Sequence, residues 1–222
     1  MKNFILTLLT ALLVCTPLST QAKNNEEKCV ITLLDGNKIS GKVVKTNNKK
    51  YGPNNVSNLY SVKVKEDNGN EREISADEAN SLVITYDDGT EIEFMSLYAV
   101  KNFTLAKNMN KSGHRYFWLV IQKGKNLIGF ASTSSITTVT GVGFMNSIRS
   151  NSLAYSYCKK GDEIAVTYYV PSVNATGGLT ADIRRAFDRF PKMANYIESD
   201  DFKLKDFKKN PFGLLDTLDN LQ

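Results

Sequence analysis

One histidine, one tryptophan, five prolines and three cysteines are all that 222 residues contain of these types. A lone histidine, His114, excludes a metal centre built on several imidazoles, the usual basis of a zinc site, so no metal is expected. The H-E-x-x-H, G-x-S-x-G and G-x-x-x-x-G-K-[ST] patterns are absent. That removes the commonest zinc-protease, serine-hydrolase and phosphate-loop chemistries, and no cofactor is expected. Gly141-Val142-Gly143 is too short for a phosphate loop. Beyond the N-terminus no apolar run reaches 18 residues, so the mature chain is expected to have no transmembrane segment. Acids are missing altogether between Lys101 and Gly161, where nine bases stand.

The N-terminus is the most informative stretch. Met1-Lys2-Asn3 carries one positive charge, and Phe4 to Val14 follows without a charge or a proline. These 11 residues make about 16 Å of helix against a bilayer core of about 30 Å, too short for a comfortable anchor. Polar residues then lead to Thr20 and Ala22, small residues at −3 and −1 of a signal-peptide cleavage site after Ala22. Residues 1–22 are therefore expected to be removed on export. Cys15 ends the apolar run, but Val14 is bulky where a lipobox needs a small residue, which argues against lipid anchoring.

The remaining 200 residues suffice for one large domain or two small ones. Hydrophobic content of 41% and charged content of 23% fit a globular chain. The net charge of +5 includes Lys2 and is too small to imply a nucleic-acid partner. Its distribution is uneven, with nine acids and only Arg72 as a base between Asp67 and Val100. The expectation is that this acidic segment lies against the basic one and neutralises part of it, leaving a modest basic patch around Lys123 and Lys125. The alternative is a basic binding face.

Cys29 and Cys158 remain after export, an even count in a compartment that permits disulfides. A bridge between them is expected; two buried thiols are the alternative, and a Cys–His pair with His114 a third reading.

The organisation is mainly β with α. Three hairpins are predicted in the N-terminal part. Val30 to Leu34 turns at Asp35-Gly36 into Ile39 to Thr46, Tyr60 to Lys65 turns at Asn68-Gly69 into Glu71 to Ile74, and Leu82 to Tyr86 turns at Asp88-Gly89 into Ile92 to Met95. Val30-Ile31-Thr32-x-x-Asp35-Gly36-x-x-Ile39 recurs 53 positions later as Val83-Ile84-Thr85-x-x-Asp88-Gly89-x-x-Ile92. Ser75 can cap a helical turn. Such a string predicts a small antiparallel barrel-like module over residues 23–101. Asn47 to Asn58 reads as an exposed loop, and Asn102 to Gly113 as a boundary. Residues 102–222 form a second antiparallel β module: His114 to Gln122 with Leu127 to Ala131, the Ser/Thr-rich 133–140 as edge strand or loop, then Ser152 to Tyr157 with Glu163 to Val170. After Asn174 to Gly178 the tail, 178–222, turns helical and covers the sheet. Ile183, Ala186, Phe187 and Phe190 share one face, and Asn210 and Pro211 are expected to start a last helix.

The Asp35-Gly36 and Asp88-Gly89 hairpins, the Gly161-Asp162-Glu163 turn and the tail from Asp182 to Phe207 together resemble secreted proteins of unknown function from Bacteroidota. The resemblance implies a Gram-negative envelope location, periplasmic or extracellular, and carries no activity or site residues. On the chain's own residues, the expected function is a non-enzymatic binding or structural module whose partner is an envelope protein or a glycan. Its candidate surface is the aromatic and basic strand carrying Arg115, Tyr116 and Trp118, with Lys123 and Lys125 at its end. Burial of one or both faces of that strand is the plainer alternative. The rival function is a hydrolase of cell-wall or glycan material using carboxylates brought together by folding, for which Asp87-Asp88 and Asp200-Asp201 are the adjacent pairs.

Overall fold

The computed structural model describes residues 27–51, 56–100, 109–140, 146–171 and 178–221, with backbone alone for 135–140 and 146–151. The expected signal segment, the Gly141-Val142-Gly143 run and most of both expected linkers lie outside these residues. Ten strands come first: β1 Lys28–Leu33, β2 Lys38–Tyr51, β3 Val56–Glu66, β4 Glu71–Ser75, β5 Ala79–Thr85, β6 Glu91–Val100, β7 Lys111–Lys123, β8 Leu127–Thr140, β9 Asn146–Lys159 and β10 Ile164–Tyr169. Four helices close the chain: α1 Leu179–Ala186, α2 Pro191–Glu198, α3 Leu204–Lys209 and α4 Gly213–Leu221. The fold is mainly β with α, as the residue pattern predicts. No helix among the described residues is long and apolar enough to cross a membrane.

The three N-terminal hairpins form for the reason their turns suggest. Gly36 and Gly89 sit at φ 87° and 81°, a left-handed geometry that other residues enter at a cost. Asp35 and Asp88 each accept a hydrogen bond from the backbone N–H two residues on, of Asn37 and Thr90. The repeated segment is thus the same turn chemistry used twice, and its two copies lie side by side, with Val30 opposite Val83 and Ile31 opposite Leu82.

All ten strands form one sheet in the order β10-β9-β8-β7-β6-β5-β1-β2-β3-β4. Extra pairings fold it back on itself. β3 joins β7 at Leu59 and Phe117 and joins β8 at Val56–Ser57 with Ser134–Thr133, while β10 runs parallel beside β6 at Ile164–Ala165. Two circuits result, β1-β2-β3-β7-β6-β5 and β6-β7-β8-β9-β10, sharing β6 and β7. The joins are short, so the sheet is ring-like and not a closed barrel.

Each circuit has its own core. The first is filled by Ile31, Val62, Val64, Ile74, Leu82 and neighbours, with Phe117 and Leu119 from β7. The second holds Tyr51, Val56, Leu97, Phe130 and Cys158, with Tyr116 and Trp118 from the opposite face of β7. A third core lies outside the second circuit, where the helices cover β9 and β10. There Tyr157 stacks on Phe187 at 4.7 Å and donates its hydroxyl proton to the Ala186 carbonyl, and Tyr168 donates to the Pro211 carbonyl.

Three sequence expectations change. Asn47–Tyr51 and Val56–Asn58 are strand rather than loop, because Tyr51 and Val56 are buried partners in the second core and β8 pairs with Val56. Asn210 ends α3 instead of starting a helix, and Pro211 lies in the turn before α4. Cys29 and Cys158 are free thiols, not a disulfide, since each is an apolar filler of a different core. Burial pushes Cys29 up to about 11, and burial with the nearby Asp162 carboxylate pushes Cys158 up to about 12, so both are protonated at neutral pH.

Candidate functional site: a lysine face and an anchored seam

The aromatic and basic strand does not present a surface. Trp118 is wholly buried, and Tyr116 and Arg115 are 4% and 8% exposed. β7 has cores on both faces, so its alternation separates two interiors rather than inside from outside. The indole N–H of Trp118 donates to the Leu97 carbonyl at 3.0 Å, and its ring lies 5.3 Å from Tyr51 and 5.9 Å from Phe130. Arg115 spends its guanidinium inward, donating from Nε to Ser96 Oγ and from Nη2 to the Ser96 carbonyl. Only Lys123 and Lys125 of that group are exposed. Lys123 donates to Glu93 at 2.5 Å, and acids of α4 reach the same hairpin, where Asp216 accepts from Gln122 and Asp219 from the Asn126 N–H. Lys125 keeps exposed basic neighbours, since Lys159 stands opposite Leu127 and the Lys160 N–H donates to the Asn126 carbonyl. The acidic and basic segments do lie side by side, as β6 against β7, with Glu93–Lys123 and Asp77–His114 as cross-pairs.

His114, the sole histidine, is anchored. Ser75 caps a short helical turn, Ala76–Glu78, which places Asp77 against the start of β7. Asp77 Oδ2 accepts from His114 Nδ1 at 2.9 Å and from the Tyr60 hydroxyl at 3.1 Å, while Oδ1 accepts from the Arg115 N–H at 2.7 Å. Partial burial raises the Asp77 carboxyl, but the three hydrogen bonds outweigh it and hold the group below the usual carboxylate range. A carboxylate-oriented imidazole is two-thirds of a nucleophilic triad. The neighbouring hydroxyls are otherwise engaged. Tyr60 donates to the carboxylate, and Ser112 donates to the His114 carbonyl while accepting from the Ala99 N–H. The arrangement ties β3, the helical turn and β7 together, and it offers no activated nucleophile. The adjacent carboxylate pairs lie in turns: Asp88 caps the β5–β6 turn, and Asp200 and Asp201 are exposed between α2 and α3.

Positive charge collects elsewhere, on the outer face of the first circuit. Lys28 on β1 stands opposite Lys42 on β2, which stands opposite Lys65 on β3. One rung further, Lys45 stands opposite Lys63. Residues directly opposite share a face, with neighbouring strands about 5 Å apart, so the three lysines of the first rung span about 10 Å. Lys28, Lys42, Lys45 and Lys65 are exposed and Lys63 is half-buried. Part of this charge is answered at the β4 edge, where Glu71 stands opposite Lys65 and pairs with Lys63 at 2.5 Å and Glu73 accepts from Ser61 and Asn47, and Lys42 has a partner of its own. Like charges directly opposite one another destabilise a sheet by a few tenths of a kcal/mol to about 1 kcal/mol. The sequence hid this face because its lysines are scattered over residues 28–65 and only strand register aligns them.

Among the described residues no cluster of His, Cys, Asp and Glu has metal-binding geometry. Comparison with protein families, with curated proteins and with solved structures finds no match.

Proposed function

We propose that the chain is an exported, non-enzymatic binding module of a Gram-negative envelope that holds an acidic glycan against the outer face of β1, β2 and β3. The observation that carries the reading is the in-register row Lys28–Lys42–Lys65 beside Lys45–Lys63. A rigid sheet fixes these charges without loop ordering, so an anionic chain laid across the strands meets repeated cations at low entropic cost. Export rests on the charged start, the short apolar run and the Thr20/Ala22 cleavage pattern. It accords with the resemblance to secreted Bacteroidota proteins.

The test is retention of the mature protein on a sulfated-polysaccharide resin, eluted with salt, beside the double variant Lys28→Glu/Lys65→Glu. Both positions are exposed, so the variant keeps the fold. Retention that weakens steeply with salt and is lost in the variant is the expected result. Flow-through of the wild type at low salt, or equal retention of the variant, overturns it. Release of new reducing ends from the bound glycan would favour the carboxylate hydrolase instead.

A further inference from the structure

We infer that the fork where β3 meets β7 and β8 is an internal water-binding site, built by Asn58 and Ser132 and continued by the hydroxyls of Tyr51, Thr167 and Ser156. Pairing between β7 and β8 runs from Lys123–Ile128 to Leu119–Ala131. Past that point β3 takes over, bonding β8 at Ser57–Thr133 and β7 at Leu59–Phe117. Three strands cannot pair continuously through one such junction, so the ladder opens there. Asn58 and Ser132 are the next rung after Ser57–Thr133 and face each other at this opening.

Both side chains point to the second core. Ser132 continues the Ile128, Phe130 alternation of β8, and Asn58 continues the Val56 face of β3. Each residue is 4% exposed; Asn58 Nδ2 has no hydrogen-bond partner in the protein, and Ser132 Oγ, which lies toward the Tyr51 hydroxyl, makes no bond of good hydrogen-bond geometry. Native interiors pair nearly all buried polar atoms, and two such atoms on one rung mark a site for a small bridging molecule. The surroundings fix its chemistry. Ser156 and Thr167 hydroxyls lie 2.8 Å apart and the Tyr51 hydroxyl 3.4 Å from Thr167. Ser134, wholly buried, and the small Ala154 complete the lining. Burial raises the Tyr51 phenol far above its ordinary value, so it stays neutral. Every group is an uncharged donor or acceptor, which fits water and disfavours an ion.

The two accounts of Ser132 differ in sign. If its hydroxyl is unpaired, Ser132→Ala removes a buried polar group at no loss and raises the melting temperature. If water bridges it, the same change strands the water and lowers the midpoint by about 2–4 °C. Thermal unfolding of the full chain carrying Ser132→Ala, with Asn58→Leu as a second variant, is expected to show the fall in each. A high-resolution crystal structure is expected to place one or two waters within 3 Å or so of Asn58 Nδ2 and Ser132 Oγ. A rise or no change in midpoint for Ser132→Ala, no water at the fork, or density there for a larger molecule overturns the inference.

Discussion

Replacing Trp118 is the sharpest probe of the shared wall. The indole is wholly buried, packs on Tyr51 and Phe130, and donates to Leu97 O at 3.0 Å. A buried Trp→Ala change typically costs about 3–5 kcal/mol, and an orphaned buried carbonyl about 1–3 kcal/mol more, so Trp118→Ala is expected to lose about 4–8 kcal/mol in all. Against a typical total of about 5–15 kcal/mol that leaves the chain close to unfolding. Trp118→Phe keeps a ring against Tyr51 and Phe130 and loses mainly the Leu97 hydrogen bond, for about 1–3 kcal/mol. Since this is the only tryptophan, the variants are followed by far-ultraviolet circular dichroism in urea. Wild-type fluorescence gives an independent reading: native emission should be shifted to short wavelength and protected from acrylamide. A loss below about 1 kcal/mol for Trp118→Ala, or acrylamide quenching in the native state equal to that in urea, would refute the buried-wall account.

Two more expectations concern titratable groups. Cys29 and Cys158 should resist a thiol reagent in the folded protein at pH 8 and give two equivalents after unfolding without reductant; none after unfolding would mean a bridge. Asp77 has its folded pKa depressed, so its contribution is present above the unfolded carboxylate range near pH 4 and is lost as pH falls through the folded value. Asp77→Asn should therefore be less stable than the wild type at neutral pH and show a flatter acid limb below about pH 4; an unchanged acid limb would count against the anchor.

Local chemistry was legible in the residues, and long-range pairing was not. Asp35-Gly36 and Asp88-Gly89 announced their turns because positive φ and an Asx hydrogen bond need only adjacent residues. The stripe Ile183, Ala186, Phe187 announced a covering helix, and these residues are buried against β9 and β10. Tyr116, Phe117 and Trp118 read as a strand, but their neighbours on each face do not, so the residues leave an exposed and a buried second face both open where the structure has a second core. Asp77 and His114 are 37 residues apart, and the fork at Asn58 and Ser132 exists only because the sheet returns on itself. Asn47 to Asn58 looked like loop because its exposed face is polar, while the two residues that make it strand, Tyr51 and Val56, find their cover on distant β8 and β10.

A strand with apolar residues on both faces gives up the usual safeguard against slippage. When one face is wet, a shift by one residue exposes the whole hydrophobic set and is rejected. Along Tyr116–Leu119 the same shift would merely exchange Tyr116 and Trp118 with Phe117 and Leu119 across the wall, moving grease into grease. Fidelity of alignment must come from polar pins that fit one alignment only. β7 carries such pins beside its apolar run, among them the Arg115 N–H on Asp77, the Arg115 guanidinium on Ser96, and the Trp118 indole on Leu97. In the nascent chain these bonds would work as a proofreading device, and weakening them together would trap misthreaded sheets more than it would loosen correctly threaded ones.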